Sequence, residues 1–260
     1  MSLAAPEDPS AHLADRFLVQ STDLRAQIVA QSPIRFTDEG EPFLCLPAPF
    51  ESFYLGPERH SDLPSDVAMM SDIRVARTIV GPPFPVPLLG AQKWLVRERE
   101  FTEKLFAGYA AETFRPTVVD SSPFSVLRQR RGDGVDDVYV GQVTVGFRGG
   151  SSGVRKTPVK EGCESWRKTE GFCDIGAVLK ADYHRQGIAS AATKVISDFA
   201  VEQMGATEIR AGVLQSNTGS VRLWEKLGFV EDESMRAEVK LDEAKGGGAE
   251  IGCWYIWHLQ

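Results

Sequence analysis

Asp174-Ile-Gly-Ala-Val-Leu179, continuing as Lys180-Ala-Asp-Tyr-His-Arg-Gln-Gly-Ile-Ala-Ser190, is an apolar strand that runs through a short polar loop into a helix. Gly187 falls in the first turn of that helix. A helix N-terminus leaves several backbone N–H groups unpaired and carries the positive end of the helix dipole, a setting that suits a diphosphate. Any strand–loop–helix crossover offers as much. The next segment narrows the reading: a strand predicted over 207–214 leads into Gln215-Ser-Asn-Thr-Gly-Ser-Val-Arg-Leu-Trp-Glu-Lys-Leu-Gly-Phe229, a second short helix closed by Gly-Phe.

Together these segments resemble the GNAT superfamily of acetyl-CoA-dependent N-acetyltransferases. The family's pyrophosphate signature, Arg/Gln-x-x-Gly-x-Gly/Ala, reads here His184-Arg185-Gln186-Gly187-Ile188-Ala189. The glycine and alanine match, and histidine departs at the first position. Asn217-x-x-Ser220 and Glu225-Lys226-Leu227-Gly228-Phe229 are similar to the RimJ/RimL-type branch. So are Tyr54-Leu-Gly-Pro-Glu-Arg-His-Ser-Asp62, Asp72-Ile-Arg-Val75 and Gly81-Pro-Pro-Phe-Pro85 upstream. The resemblance covers 43–260 and implies an α+β fold: a mixed sheet of six or seven strands, splayed in the middle, with helices on both sides. Residues 1–42 read as an N-terminal appendage, partly disordered.

The periodicities agree with this plan. In 187–204 the apolar residues Ile188, Ala192, Val195 and Phe199 form one stripe, while Lys194, Asp198 and Glu202 line another face. Asn217 is a suitable N-cap, and Gly228 suits the left-handed position after the second helix, with Phe229 packing back. Spacing predicts helices over 60–78 and 91–109 and a strand over 50–55. It also predicts antiparallel strands over 123–130 and 137–147, the second alternating with period two, and a last strand over 250–259. The segments 149–171 and 231–248 read as a mobile loop and a polar insert.

Composition excludes other classes. The 260 residues are 42% hydrophobic and 25% charged, enough for a sizeable core. No run approaches the roughly 20 apolar residues of a membrane span, and the N-terminus has no secretory pattern, so the expected home is cytoplasmic or nuclear. The formal net charge of -7 speaks against a nucleic-acid partner. Four cysteines and four histidines show no metal-ligand spacing, so no metal is expected. Neither G-x-G-x-x-G nor G-K-[ST] occurs, which weakens a nucleotide-binding reading.

The resemblance then implies roles. Arg185, Gln186, Gly187, Ile188, Ala189 and Ser190 would hold the acetyl-CoA diphosphate, chiefly through backbone N–H groups. The backbone of Ala177, Val178 and Leu179 would pair with the pantetheine arm, and one N–H there would polarise the thioester carbonyl. Asn217 would reach the same arm besides capping its helix. Asp174 is the candidate base, since a protonated alkylamine cannot attack. Trp224 stands where many members carry a tyrosine acid, leaving Ser220 or water to protonate the thiolate. The expected activity is direct acetyl transfer to a primary amine (a protein N-terminus, a lysine or a small amine) by a monomer or homodimer. The alternative is a catalytically silent acyl-CoA sensor or scaffold.

Overall fold

The computed structural model describes residues 8–111, 121–132, 136–148 and 172–259. Strands β1 (Arg35–Phe36), β2 (Pro42–Cys45) and β3 (Phe53–Gly56) open the sheet, after the helix α1 (Thr22–Gln31). Three helices follow: α2 (Leu63–Met70), α3 (Ile73–Ala76) and α4 (Leu88–Ala110). Then come β4 (Val126–Gln129), β5 (Val138–Arg148), β6 (Phe172–Leu179), α5 (Ile188–Glu202), β7 (Glu208–Leu214) and α6 (Thr218–Lys226). The described chain closes with β8 (Val230–Glu231), β9 (Ala237–Lys240) and β10 (Ala249–His258).

Among the described residues these strands form one ten-stranded sheet in the order β1-β2-β3-β4-β5-β6-β7-β10-β8, with β9 attached to β10. All neighbours are antiparallel except β6 and β7. That parallel pair is short: Cys173 faces Ile209 and Asp174 faces Arg210, and there the pairing ends. Beyond Asp174 the two strands diverge, the splay expected of this sheet.

Helix α5 buries Ile188, Ala192, Ile196, Phe199 and Ala200 in the main core, together with Val143, Val145, Ile209 and Phe124. Its wet face carries the predicted charges, with Lys194 Nζ donating to Asp198 at 2.6 Å. The opposite face of the sheet, through Val126 and Tyr139, packs on Met69, Met70 and Val75 from α2 and α3. Fully burying each such apolar side chain contributes roughly 1.5–3 kcal/mol.

Several expectations change. The helix predicted over 60–78 is broken into α2 and α3, because Ser71 and Asp72 leave the helix and Asp72 Oδ1 caps α3 by accepting from Arg74 N–H at 2.8 Å. The period of two in β5 breaks at a bulge: Leu127 pairs with Gly141 and Arg128 with Tyr139, so Val140 is extra. Val140 therefore shares the main core with Val143 and Val145. The segment 231–248 is an ordered part of the sheet, since β9 pairs with β10 from Ala249↔Lys240 to Gly252↔Ala237. Within the stretch read as an appendage, Val19, Ile28 and Ile34 lie buried in the main core, and β1 pairs with β2. The predicted loop 149–171 lies outside the described residues.

Candidate active site

The loop after β6 is held at four points. Lys180 N–H donates to the Val140 carbonyl at 2.9 Å. Tyr183 Oη donates to Gln129 Oε1 at 3.2 Å, and Gln186 Nε2 donates to the Asp182 carbonyl at 2.9 Å. His184 Nε2 lies 2.9 Å from the Leu179 carbonyl oxygen. Arg185 (φ 61°) and Gly187 (φ 82°) both take the left-handed region, which turns the chain sharply into α5. No side chain caps α5, and its first bond runs from Ala191 N–H to the Gly187 carbonyl at 3.2 Å. The amides of Ile188, Ala189 and Ser190 therefore point out of the helix end, as a bound anion requires. A Cβ at 187 would meet Phe50 Cζ at 3.1 Å, so glycine serves here for both conformation and space.

The register of β6 shows which backbone groups face the splay. With Lys180 bonded to Val140 and the ladder running from Leu179↔Gly141 to Phe172↔Arg148, Val178 and Gly176 turn their N–H and C=O groups toward β5. Ala177 and Leu179 turn theirs the other way, into the gap left by β7. An arm lying in the gap would thus meet Ala177 and Leu179 rather than the backbone of Val178. The Leu179 carbonyl is already engaged by His184, which leaves Ala177 the fuller pair of groups.

A cleft of about 890 Å³ opens at the gap. Asp174, Ile175 and Gly176 form one wall, and Gly212, Val213 and Leu214 of β7 form another. Thr78–Gly81, α4 residues Arg97, Glu98 and Phe101, and Val239 of β9 line it as well, with stretches of β5 and of β10 around Cys253. Of the residues singled out from sequence, Asp174 borders this cleft; Ala177–Leu179 and the 185–190 loop continue β6 beyond it. Asn217 is the α6 N-cap, its Oδ1 accepting from Ser220 N–H at 3.1 Å, while Nδ2 donates to the Thr78 carbonyl at 3.4 Å. Trp224 is buried, packs against Phe229 with tilted rings 5.1 Å apart between centroids and donates Nε1–H to Ser220 Oγ at 3.0 Å. Gly228 has the expected left-handed φ of 83°.

One residue of the cleft and one behind its rim escaped the sequence reading. Glu98 is partly buried in the wall, its side chain 12% exposed, and desolvation pushes its carboxyl up to about 7. Its signal was weak, since the buried stripe of α4 runs through Ala91, Leu95, Arg99, Thr102 and Leu105 and leaves Glu98 at its edge. Lys245 is buried as well, and its Nζ donates to the Ile79 and Val80 carbonyls at 3.1 Å each. It ties the insert to the cleft rim. Among the described residues no group of three His, Cys, Asp or Glu side chains could hold a metal ion, and no helix is long and apolar enough to cross a membrane.

Known proteins are similar to this chain. The family model for the acetyltransferase (GNAT) domain matches residues 53–230, well over half the chain. A probable N-acetyltransferase, YjcK of Bacillus subtilis (strain 168), is 34% identical over 68 residues, 26% of this chain and 38% of that protein. The match thus spans little more than a third of that relative's length. Among solved structures, the ribosomal-protein-S5-alanine acetyltransferase of Vibrio fischeri superposes with a TM-score of 0.53 at 15% identity, covering 80% of this chain and 94% of that one. RimL, a ribosomal L7/L12 α-N-protein acetyltransferase solved with coenzyme A, gives 0.54 at 9% identity, covering 84% and 98%. These two likenesses speak to the fold. On the family match and the splayed sheet with its open helix end, this chain belongs to the GNAT acetyltransferase family.

Proposed function

We propose that the protein transfers the acetyl group of acetyl-CoA to a primary amine by direct attack in a ternary complex, without an acetyl-enzyme. The observation that carries this reading is the parting of β6 and β7 beyond Asp174 and Arg210, with a cleft at the gap and uncapped amides at the end of the same strand's loop. The diphosphate would sit on the amides of 188–190, with Gly187 allowing close approach and Arg185 and Gln186 flanking it. The arm would lie along Ala177 and Leu179. A backbone N–H facing the gap would polarise the thioester carbonyl, a contact worth a few kcal/mol in the transition state, on the order of 3.

The acceptor would enter past Asp174, whose carboxylate attracts an ammonium to the point where the strands part. Ser220 accepts from the Trp224 indole, so its own hydroxyl hydrogen stays available to the leaving thiolate. Trp224 then replaces the usual tyrosine as a positioning residue. The acceptor is an amine: a protein N-terminus, a lysine or a small molecule. We place the transferase domain at 43–260, with residues 1–42 preceding it, in a cytoplasmic or nuclear monomer or homodimer. The test is an acceptor screen with acetyl-CoA and the purified chain, following thiol release with an alanine-headed tetrapeptide, Nα-acetyl-lysine amide and n-butylamine. Amine-dependent release supports the proposal. Binding of acetyl-CoA without release to any amine would favour the silent sensor.

A further inference from the structure

We infer that Glu98, at the edge of the buried face of α4 where that helix lines the cleft, is the group that takes the proton from the acceptor's ammonium; this rests on the reading of the cleft as an acetyltransferase site. Glu98 reaches the cleft from the wall opposite the strands that would hold acetyl-CoA, beside Phe101, Ile79 and Val80. Among the described residues its Oε2 is buried and has no hydrogen-bond partner. A carboxylate kept in that state is costly unless a ligand satisfies it. An ammonium with an apolar stem fits: the nitrogen would meet Oε2 and the stem would lie on Phe101 and Val80.

The charged neighbours leave that role open. On its own helix, Arg97 Nη2 stands 3.6 Å from Oε1, but its side chain is 62% exposed. Arg99 turns away, donating to the carbonyls of Ala14, Asp15 and Glu58. Behind the helix lies Glu58, a buried carboxyl raised by burial and by Asp66 and then Glu98 itself. Across the cleft stand Asp174 and Cys253, whose thiol burial also raises. Burial thus sets Glu98 closer to neutrality than an ordinary carboxylate, and a base near the working pH takes a proton from an amine more readily.

The step balances. R–NH₃⁺ gives one proton to the Glu98 carboxylate, and the freed lone pair attacks the thioester carbon. The tetrahedral intermediate expels the thiolate, the second N–H proton passes to sulfur, and Glu98 returns its proton to solvent. Asp174 is then the electrostatic anchor of the ammonium rather than its base.

The experiment compares Glu98→Gln and Asp174→Asn with the wild type, using the fastest acceptor of the screen from pH 6 to 10. Calorimetry with CoA runs in parallel. Glu98→Gln should lower kcat by about 10²–10⁴-fold, remove the inflection near neutrality and leave the CoA affinity within threefold. Asp174→Asn should chiefly raise the amine KM. If Glu98→Gln melts early, Glu98→Asp keeps the acid one methylene back and should retain a reduced kcat with a displaced inflection. Glu98→Gln or Glu98→Asp with wild-type kcat and pH profile overturns the assignment, as does a kcat collapse confined to Asp174→Asn. A wild type that releases no thiol with any amine instead defeats the acetyltransferase reading itself.

Discussion

His184 Nε2 lies 2.9 Å from the carbonyl oxygen of Leu179, the last residue of β6. A carbonyl only accepts, so Nε2 carries the hydrogen and the imidazole clasps the loop back onto its own strand. The residue that departs from the family signature therefore has a local structural task. His184→Ala should cost about 0.5–1.5 kcal/mol of stability, one neutral hydrogen bond. A loosened loop should weaken CoA by about fivefold, which corresponds to roughly 1 kcal/mol. Denaturant melts and CoA calorimetry check both, with kcat at saturating acetyl-CoA little changed.

Gly187 sits at φ 82° against Phe50. Gly187→Ala puts a Cβ in the left-handed region, costing about 1–2 kcal/mol before any contact with Phe50. Stability and CoA affinity should both fall. A larger acidic side chain at this position would mix that strain with charge repulsion, so alanine is the cleaner variant for calorimetry.

Lys245 is a strap between the 231–248 insert and the cleft rim, through the carbonyls of Ile79 and Val80. Lys245→Met keeps the stem and removes the three donors. Loss of two charge-assisted bonds should destabilise the rim by about 1.5–3 kcal/mol or more. On the proposed entry of the amine through this cleft, KM for the amine should rise more than KM for acetyl-CoA. Steady-state kinetics with each substrate varied in turn would show the split.

Glu58 gives a pH dependence with a definite sign. Its folded-state carboxyl is raised well above the ordinary value by burial and neighbouring carboxylates. A raised acid binds its proton more tightly folded than unfolded, so its stabilising effect is full below the unfolded value and is lost as pH rises through the folded one. Glu58→Gln removes that loss. The variant should gain melting temperature relative to wild type at pH 8 compared with pH 5, read by calorimetric scans at the two values.

Much of the fold was legible because its periodic segments are long. Ile188 to Phe199 specified α5, and Gly228-Phe229 specified the end of α6. The bulge at Val140 was not, since the valines pass from even positions (138, 140) to odd ones (143, 145) within a run that a strict period of two reads straight through. Strand β9 was hidden because Ala237-Glu-Val-Lys240 is only four residues long, too short for its alternation to stand out; it forms by pairing with β10. The turn from β6 into α5 could be read from a glycine and an alanine at fixed spacing. Glu98 and Lys245 could not, because their surroundings are distant in the chain: Glu98 lines one cleft with Ile79, Val80 and β6, and Lys245 reaches back to residues 79 and 80.

The central claim is that acetyl-CoA lies on the end of α5 and along β6. Its most direct measurement is a calorimetric titration of acetyl-CoA into the full chain, repeated with Gly187→Ala. One site per chain in the wild type, weakened at least several-fold in the folded variant, is the expected result. A folded wild type that shows no heat of binding at millimolar acetyl-CoA, or a variant that binds as tightly as wild type, would contradict it.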